Sequence, residues 1–99
     1  MPGDHGKPRP AVIVQNDDLI GPETILVCLM TSDINGVADS RLVVKPTPEN
    51  GLRVTSVVMT EKIYPVMRAR VARPIGRLLP AIMDQIDIRL SYVLGLRAS

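Results

Sequence analysis

The groups in this sequence that can act on an anion or move a proton are scattered along the chain. They are Lys7 and Arg9 in Gly6-Lys7-Pro8-Arg9-Pro10, Thr31 and Ser32 after an apolar run, Glu61 and Lys62 in a β-rich stretch, and the single histidine, His5. Pro8 and Pro10 fix their own φ and bias Lys7 and Arg9 toward extended backbone. A guanidinium carried on so stiff a segment loses less entropy when it meets an anion, and its forked donors suit a phosphate or carboxylate. The plainer reading is a proline-rich lead-in to a strand with a surface arginine. Thr31 and Ser32 can donate hydroxyl hydrogen bonds or simply cap a turn. Glu61 can accept a proton or serve as a surface carboxylate paired with Lys62. His5 is the one side chain whose unperturbed pKa suits acid work near neutrality, and it reads equally as a loop histidine.

Charge is uneven although the net is only +2. Residues 1–40 carry Asp4, Asp17, Asp18, Glu23, Asp33 and Asp39 against Lys7 and Arg9, whereas 62–77 holds Lys62, Arg68, Arg70, Arg73 and Arg77 with no acid. The basic run is either a surface for an anionic partner or a solvated edge. The absence of Phe and Trp, with only Tyr64 and Tyr92 as aromatics, argues against a base-stacking platform. No serine elbow, phosphate-binding glycine loop or paired-histidine motif is present, so any chemistry must be assembled at strand ends. One Cys and one His allow neither a disulfide within the chain nor a metal-ligand spacing, and no cofactor is expected. Cys28, inside Ile25–Met30, reads as a buried, inert thiol. No apolar run approaches the roughly 18 residues of a membrane span, and the start lacks a signal-peptide core. A cytoplasmic protein without membrane contact is expected.

The elements that must position these groups are short. Ninety-nine residues make one domain, 1–99, with a single modest core. Ala11–Gln15 is a β-branched run, and Thr24–Thr31, apolar on both faces, reads as a central strand. Ser32-Asp33-Ile34-Asn35-Gly36 is turn chemistry. Arg41–Lys45 is another strand, closed by Pro46–Gly51 with Asn50-Gly51 as a tight turn. Ser56–Thr60 and Lys62–Val66 are a strand pair or one long bent strand, and Pro65 favours a bend or an edge. From Leu79 the period changes: Ile82, Met83, Ile86, Leu90, Val93 and Leu94 form a helical stripe, with Pro80 at the start and Gly95 as the stop. Ile88 falls opposite the stripe, a hint of a second contact. One helix cannot cover both faces of five or six strands, so the sheet must curl. The expected fold is mainly β, a small barrel of strongly bent antiparallel strands with a C-terminal helix.

The order Gly-Lys-Pro-Arg-Pro-Ala-Val-Ile-Val-Gln-Asn-Asp, a strand ending Leu-Met-Thr-Ser, then Glu49-Asn50-Gly51-Leu52, Ser56-Val57-Val58-Met59, Ile75-Gly76-Arg77-Leu78 and Val93-Leu94-Gly95-Leu96 resembles the MazF/PemK family of toxin endoribonucleases. The resemblance covers nearly the whole chain, and its specific parts are the Arg-Pro-Ala-Val block and the strand-ending Thr-Ser. It implies an SH3-like, CcdB-like barrel, a homodimer, metal-independent cleavage of single-stranded RNA at short sequences, and neutralisation by a cognate antitoxin whose tail occupies the RNA groove. The family's loop arginine falls on Arg9 and its strand-end threonine on Thr31. Glu61 occupies the place of an acidic residue implicated in catalysis in the PemK/Kid branch. That branch has an arginine two residues earlier, where this chain has Met59, and an upstream loop histidine with which His5 does not align.

By this resemblance the catalytic set is Arg9, Thr31 and Glu61, with Lys7, Ser32, Lys62 and Arg68 as further RNA contacts. Without a metal, the 2′-OH of RNA attacks the adjacent phosphorus, which requires a base, cationic donors for the phosphorane and a proton for the leaving 5′-oxygen. Glu61 suits the base, and Arg9 the phosphate, since a guanidinium with a pKa above about 12 does not give up its proton. Two other functions share the class. A gyrase poison of the CcdB type relies on a Trp-Gly-Ile end that this chain lacks. A degenerate toxin would keep antitoxin binding without catalysis. Family members usually begin with a strand of the Arg-Gly-Asp-Ile/Val-Trp-x-Val kind, whereas this chain starts inside the loop that follows it. A barrel strand is therefore expected to be missing, and restoring upstream codons that encode one is expected to raise thermal stability.

Overall fold

The computed structural model describes residues 9–16, 18–19, 23–36 and 38–96. Within them the order is β1 (Ala11–Ile13), β2 (Thr24–Thr31), β3 (Arg41–Val44), β4 (Ser56–Met67), a 3-10 turn at Arg68–Arg70 and α1 (Pro80–Leu94). The strands form one antiparallel sheet in the order β1-β2-β4-β3, curled into half a barrel. Among the described residues there are therefore four strands where five or six were expected. The two candidate strands Ser56–Thr60 and Lys62–Val66 are one element, β4.

β4 changes character along its length. Ser56–Met59 pairs with β3, and the register with β2 runs from Thr31↔Val57 to Thr24↔Met67. Between Met30↔Val58 and Cys28↔Ile63, a single β2 residue, Leu29, faces Met59, Thr60, Glu61 and Lys62. This is a bulge, which bends a strand and re-aims its side chains. Pro65 lies beyond the bulge, opposite Leu26, where β3 no longer pairs with β4. A residue without an N–H is tolerated there because that flank is an edge.

The core is Val12, Cys28, Met30, Val44, Val58 and Ile86, flanked by Leu42, Leu52, Leu78, Ile82, Met83 and Leu90. Helix α1 begins with Pro80 at its first turn and stops at Gly95, whose φ of 67° is left-handed. Its stripe packs through Ile82, Met83, Ile86 and Leu90, while Leu94, in its last turn, is exposed. Cys28 is fully buried, and burial, followed by the charge of Glu61, pushes its thiol pKa up, as an inert core cysteine requires. Asn50 is buried in its turn. Its side-chain oxygen accepts from the backbone N–H groups of Thr47 and Leu52, and its amide donates to the Lys45 carbonyl. Gly51, at φ 69°, lies against the Ile75 backbone, and Gly76 against that of Glu49 and Asn50, with the Arg77 N–H donating to the Glu49 carbonyl at 2.8 Å. No helix among the described residues is long and apolar enough to cross a membrane.

Candidate functional site

Four separate pieces of chain converge on one open cleft of about 290 Å³. Arg9 and Pro10 come from the segment entering β1, Leu29–Thr31 and Asp33 from the end of β2 and its turn, Arg41 from the start of β3, and Met59 and Lys62 from the bulged middle of β4. Three of the nine lining residues are cationic and one is acidic, so the cleft suits an anion. A second cleft, of about 210 Å³, between β1 and residues 74–78 is lined mainly by apolar groups such as Val12, Leu52, Leu78 and Met83. It offers no comparable set of donors.

The predicted residues fall in different places where they lie within the described segments. Arg9, Thr31 and Lys62 line the cleft together. The Thr31 hydroxyl oxygen accepts from the Asp33 N–H at 3.1 Å, so it caps the turn and still has its own hydrogen to donate. Ser32 is exposed in that turn and is not part of the lining. Arg68 stands beyond Met67, the residue paired with Thr24, and its N–H donates to the Glu23 carbonyl at 2.8 Å. That is the opposite end of β2 from Thr31, so the long strand carries Lys62 and Arg68 apart. Lys7 and His5 lie outside the described residues.

Glu61 is not among the residues that line the cleft, and its partner is Arg41 rather than Lys62. Arg41 Nε and Nη2 donate to Glu61 Oε2 at 3.0 and 2.7 Å, and the Ser40 hydroxyl donates to Oε1 at 2.9 Å. The register explains this pairing. Arg41 stands opposite Met59, and Glu61 is two residues further along β4 on the same side, a diagonal cross-strand neighbour. Partial burial raises the carboxyl pKa, but the hydrogen bonds from Arg41, the Glu61 backbone and Ser40, with the charge of Arg41, together outweigh it and hold Glu61 below the usual carboxylate range. Glu61 is therefore charged near neutrality and a weak proton acceptor.

Two charged lining residues, Arg41 and Asp33, were not among the predicted site residues. Arg41 opens a strand by itself, and only the β3–β4 register and the bulge bring it to Glu61 and to the cleft. Asp33 looked like turn chemistry and does perform it, its carboxylate accepting from Asn35 N–H and Nδ2, both at 3.0 Å.

Comparison with known proteins converges on one family. Residues 2–94 match the family model described as PemK-like, MazF-like toxin of type II toxin-antitoxin system. The chain is 32% identical over 91 residues to a probable endoribonuclease MazF of Mycolicibacterium smegmatis, covering 92% of this chain and 84% of that protein. It is 34% identical over 94 residues to endoribonuclease MazF9 of Mycobacterium tuberculosis, covering 89% of this chain and 79% of that one. A solved mycobacterial endoribonuclease in complex with its cognate antitoxin superposes with a TM-score of 0.79 at 20% identity, covering 97% and 90% of the two chains, and so shares the fold.

Proposed function

From membership of the PemK-like, MazF-like toxins of type II toxin-antitoxin systems, the family to which this chain belongs, we propose that it is an endoribonuclease that cuts single-stranded RNA without a metal ion. The observation that carries the reading is the convergence of Arg9, Thr31 and Lys62, far apart in sequence, on one cation-lined cleft at the end of β2. The relatives' names, both endoribonuclease, support the same chemistry.

In this scheme the substrate's 2′-oxygen forms a bond to the adjacent phosphorus, the 5′-oxygen leaves, one proton is lost from the 2′-OH and one is gained by the leaving oxygen. Arg9 binds the scissile phosphate and stabilises the charge that grows on the phosphorane. Thr31 donates its hydroxyl hydrogen to a phosphate oxygen, and Lys62 neutralises a neighbouring phosphate. Glu61 enters the site through Arg41. Single-stranded substrate follows from the reaction geometry, since the 2′-oxygen must swing into line with the leaving oxygen, which a regular A-form helix prevents. A cognate antitoxin, a homodimer and a cytoplasmic location belong to the same proposal. They are supported by the family and by the antitoxin complex of the structural neighbour.

Incubating the purified chain with a long single-stranded RNA in EDTA, beside Arg9→Ala and Thr31→Ala, tests the reading. Discrete cuts are expected from the unaltered protein, with each variant slowed by about 10²–10³-fold. Intact RNA together with retained antitoxin binding would identify a binding module instead.

A further inference from the structure

We infer that Arg41 is a further RNA-contacting residue of the cleft, and that Glu61 and Ser40 are positioning residues that aim its guanidinium at a substrate phosphate. The inference rests on the ribonuclease reading, because it takes the cleft to be the RNA site.

Arg41 lines the same cleft as Arg9, Thr31 and Lys62. Glu61 engages the guanidinium through Nε and Nη2, which leaves the Nη1 edge of the five-hydrogen fork to meet a second anion. The support beneath it is rigid. The Ser40 carbonyl accepts from the Thr60 N–H at 3.0 Å and from the Thr60 hydroxyl, and Thr60 is fully buried. The Ser40 hydroxyl holds the other oxygen of Glu61, and the Arg41 N–H donates to the Ala38 carbonyl at 2.9 Å. A chain of bonds therefore runs from a buried strand residue through Ser40 and Glu61 to a guanidinium at the cleft wall. Such a group is already ordered when substrate arrives, so less entropy is lost per contact. A carboxylate committed in this way, and held charged by its partners, is better suited to orienting a cation than to taking a proton.

The test uses the full chain and a single-stranded RNA analogue with 2′-O-methyl sugars, which can be bound but not cut, alongside cleavage of ordinary RNA. Removing Arg41 alone would leave an unbalanced Glu61, so the decisive variant is the charge-neutral double substitution Arg41→Gln/Glu61→Gln. It should bind the analogue roughly tenfold more weakly, as expected for loss of a charged hydrogen bond at a partly exposed site. The slope of log affinity against log salt should shrink by about 0.7, the share of one phosphate contact on a single strand. Arg41→Lys, which keeps the charge, should restore the slope and part of the affinity. Glu61→Gln alone should raise KM several-fold with kcat little changed. An unaltered slope and affinity in the double variant would overturn the contact. A collapse of kcat in Glu61→Gln, equally deep with or without Arg41, would make Glu61 the base and overturn its positioning role. If the unaltered chain neither binds the analogue nor cuts RNA, the ribonuclease reading fails too, a result distinct from the other two.

Discussion

The two halves of β4 belong to one strand and behave as opposites. Ser56–Thr60 is buried at every position and is flanked by both β2 and β3. Ile63–Met67 lies beyond the bulge, pairs with β2 and not with β3, and leaves Tyr64 and Met67 exposed. The first half supplies core and the second supplies surface, and the cation-lined cleft lies where one gives way to the other. At that point the ladder loses its β3 partner, the backbone bends, and Glu61 and Lys62 are turned out beside the ends of β2 and β3. A rigid half is needed to hold the support, and a released half to present the charge.

The largest expected effect breaks the first half. Val58 is fully buried at the centre of the core, so Val58→Asp places a carboxylate where it has neither water nor a partner and should cost about 4 kcal/mol or more in urea unfolding. Tyr64→Asp, in the exposed half, should change stability by less than about 1 kcal/mol. Equal losses would mean that the strand is not divided in this way. The next effect separates the two ends of the exposed half. Lys62→Ala should lower kcat/KM for RNA roughly tenfold through loss of a phosphate contact, whereas Arg68→Ala, at the far end of β2, should stay within about twofold. A smaller effect links the halves. Thr60→Val removes the buried hydroxyl that bonds the Ser40 carbonyl and should cost about 1 kcal/mol. Since Ser40 holds Glu61, it should also raise KM; an unchanged KM would show that the support beneath Arg41 is not transmitted.

How much of this could be read in the sequence follows the same division. The buried half was legible because Val57, Val58 and Met59 are apolar in a row, and so were Cys28 as an inert core thiol and Pro80 and Gly95 as helix limits. These depend on local composition. The flanking prolines drew attention to Arg9 and the end of an apolar run to Thr31, but that the two share one cleft is visible only in the fold. How the basic run from Lys62 to Arg77 is laid out was not legible, because spacing along a chain says nothing about where a twelve-residue strand carries its two ends. Arg41 was invisible for a deeper reason. Its meeting with Glu61 depends on the register between β3 and β4 and on a bulge that sets one residue of β2 against four of β4. Nothing in residues 40–41 or 59–62 alone encodes that count. Pro65 gave a correct hint of an edge, but the edge is local to half a strand.

The smallest expected effect concerns the charge state of that boundary. Glu61 has a lower pKa in the folded protein than in the unfolded chain, because the hydrogen bonds from Arg41, the Glu61 backbone and Ser40, with the charge of Arg41, together outweigh the opposing effect of burial. A depressed carboxyl pKa contributes stability that is present above its unfolded value and is lost as pH falls through its folded value. The Arg41–Glu61 side chains are 25% and 32% exposed, so solvent screens the pair and the contribution is modest. Glu61→Gln should therefore melt lower than the unaltered chain at pH 7 by less than about 4 °C. The gap should close as the pH is lowered below the ordinary carboxylate range, because a protonated Glu61 and the amide that replaces it then offer Arg41 equally uncharged partners. A gap that stayed constant through the acid range would assign the loss to packing rather than charge. The boundary of β4 would then be held by shape, and the hold of Glu61 on Arg41 would not depend on its ionisation.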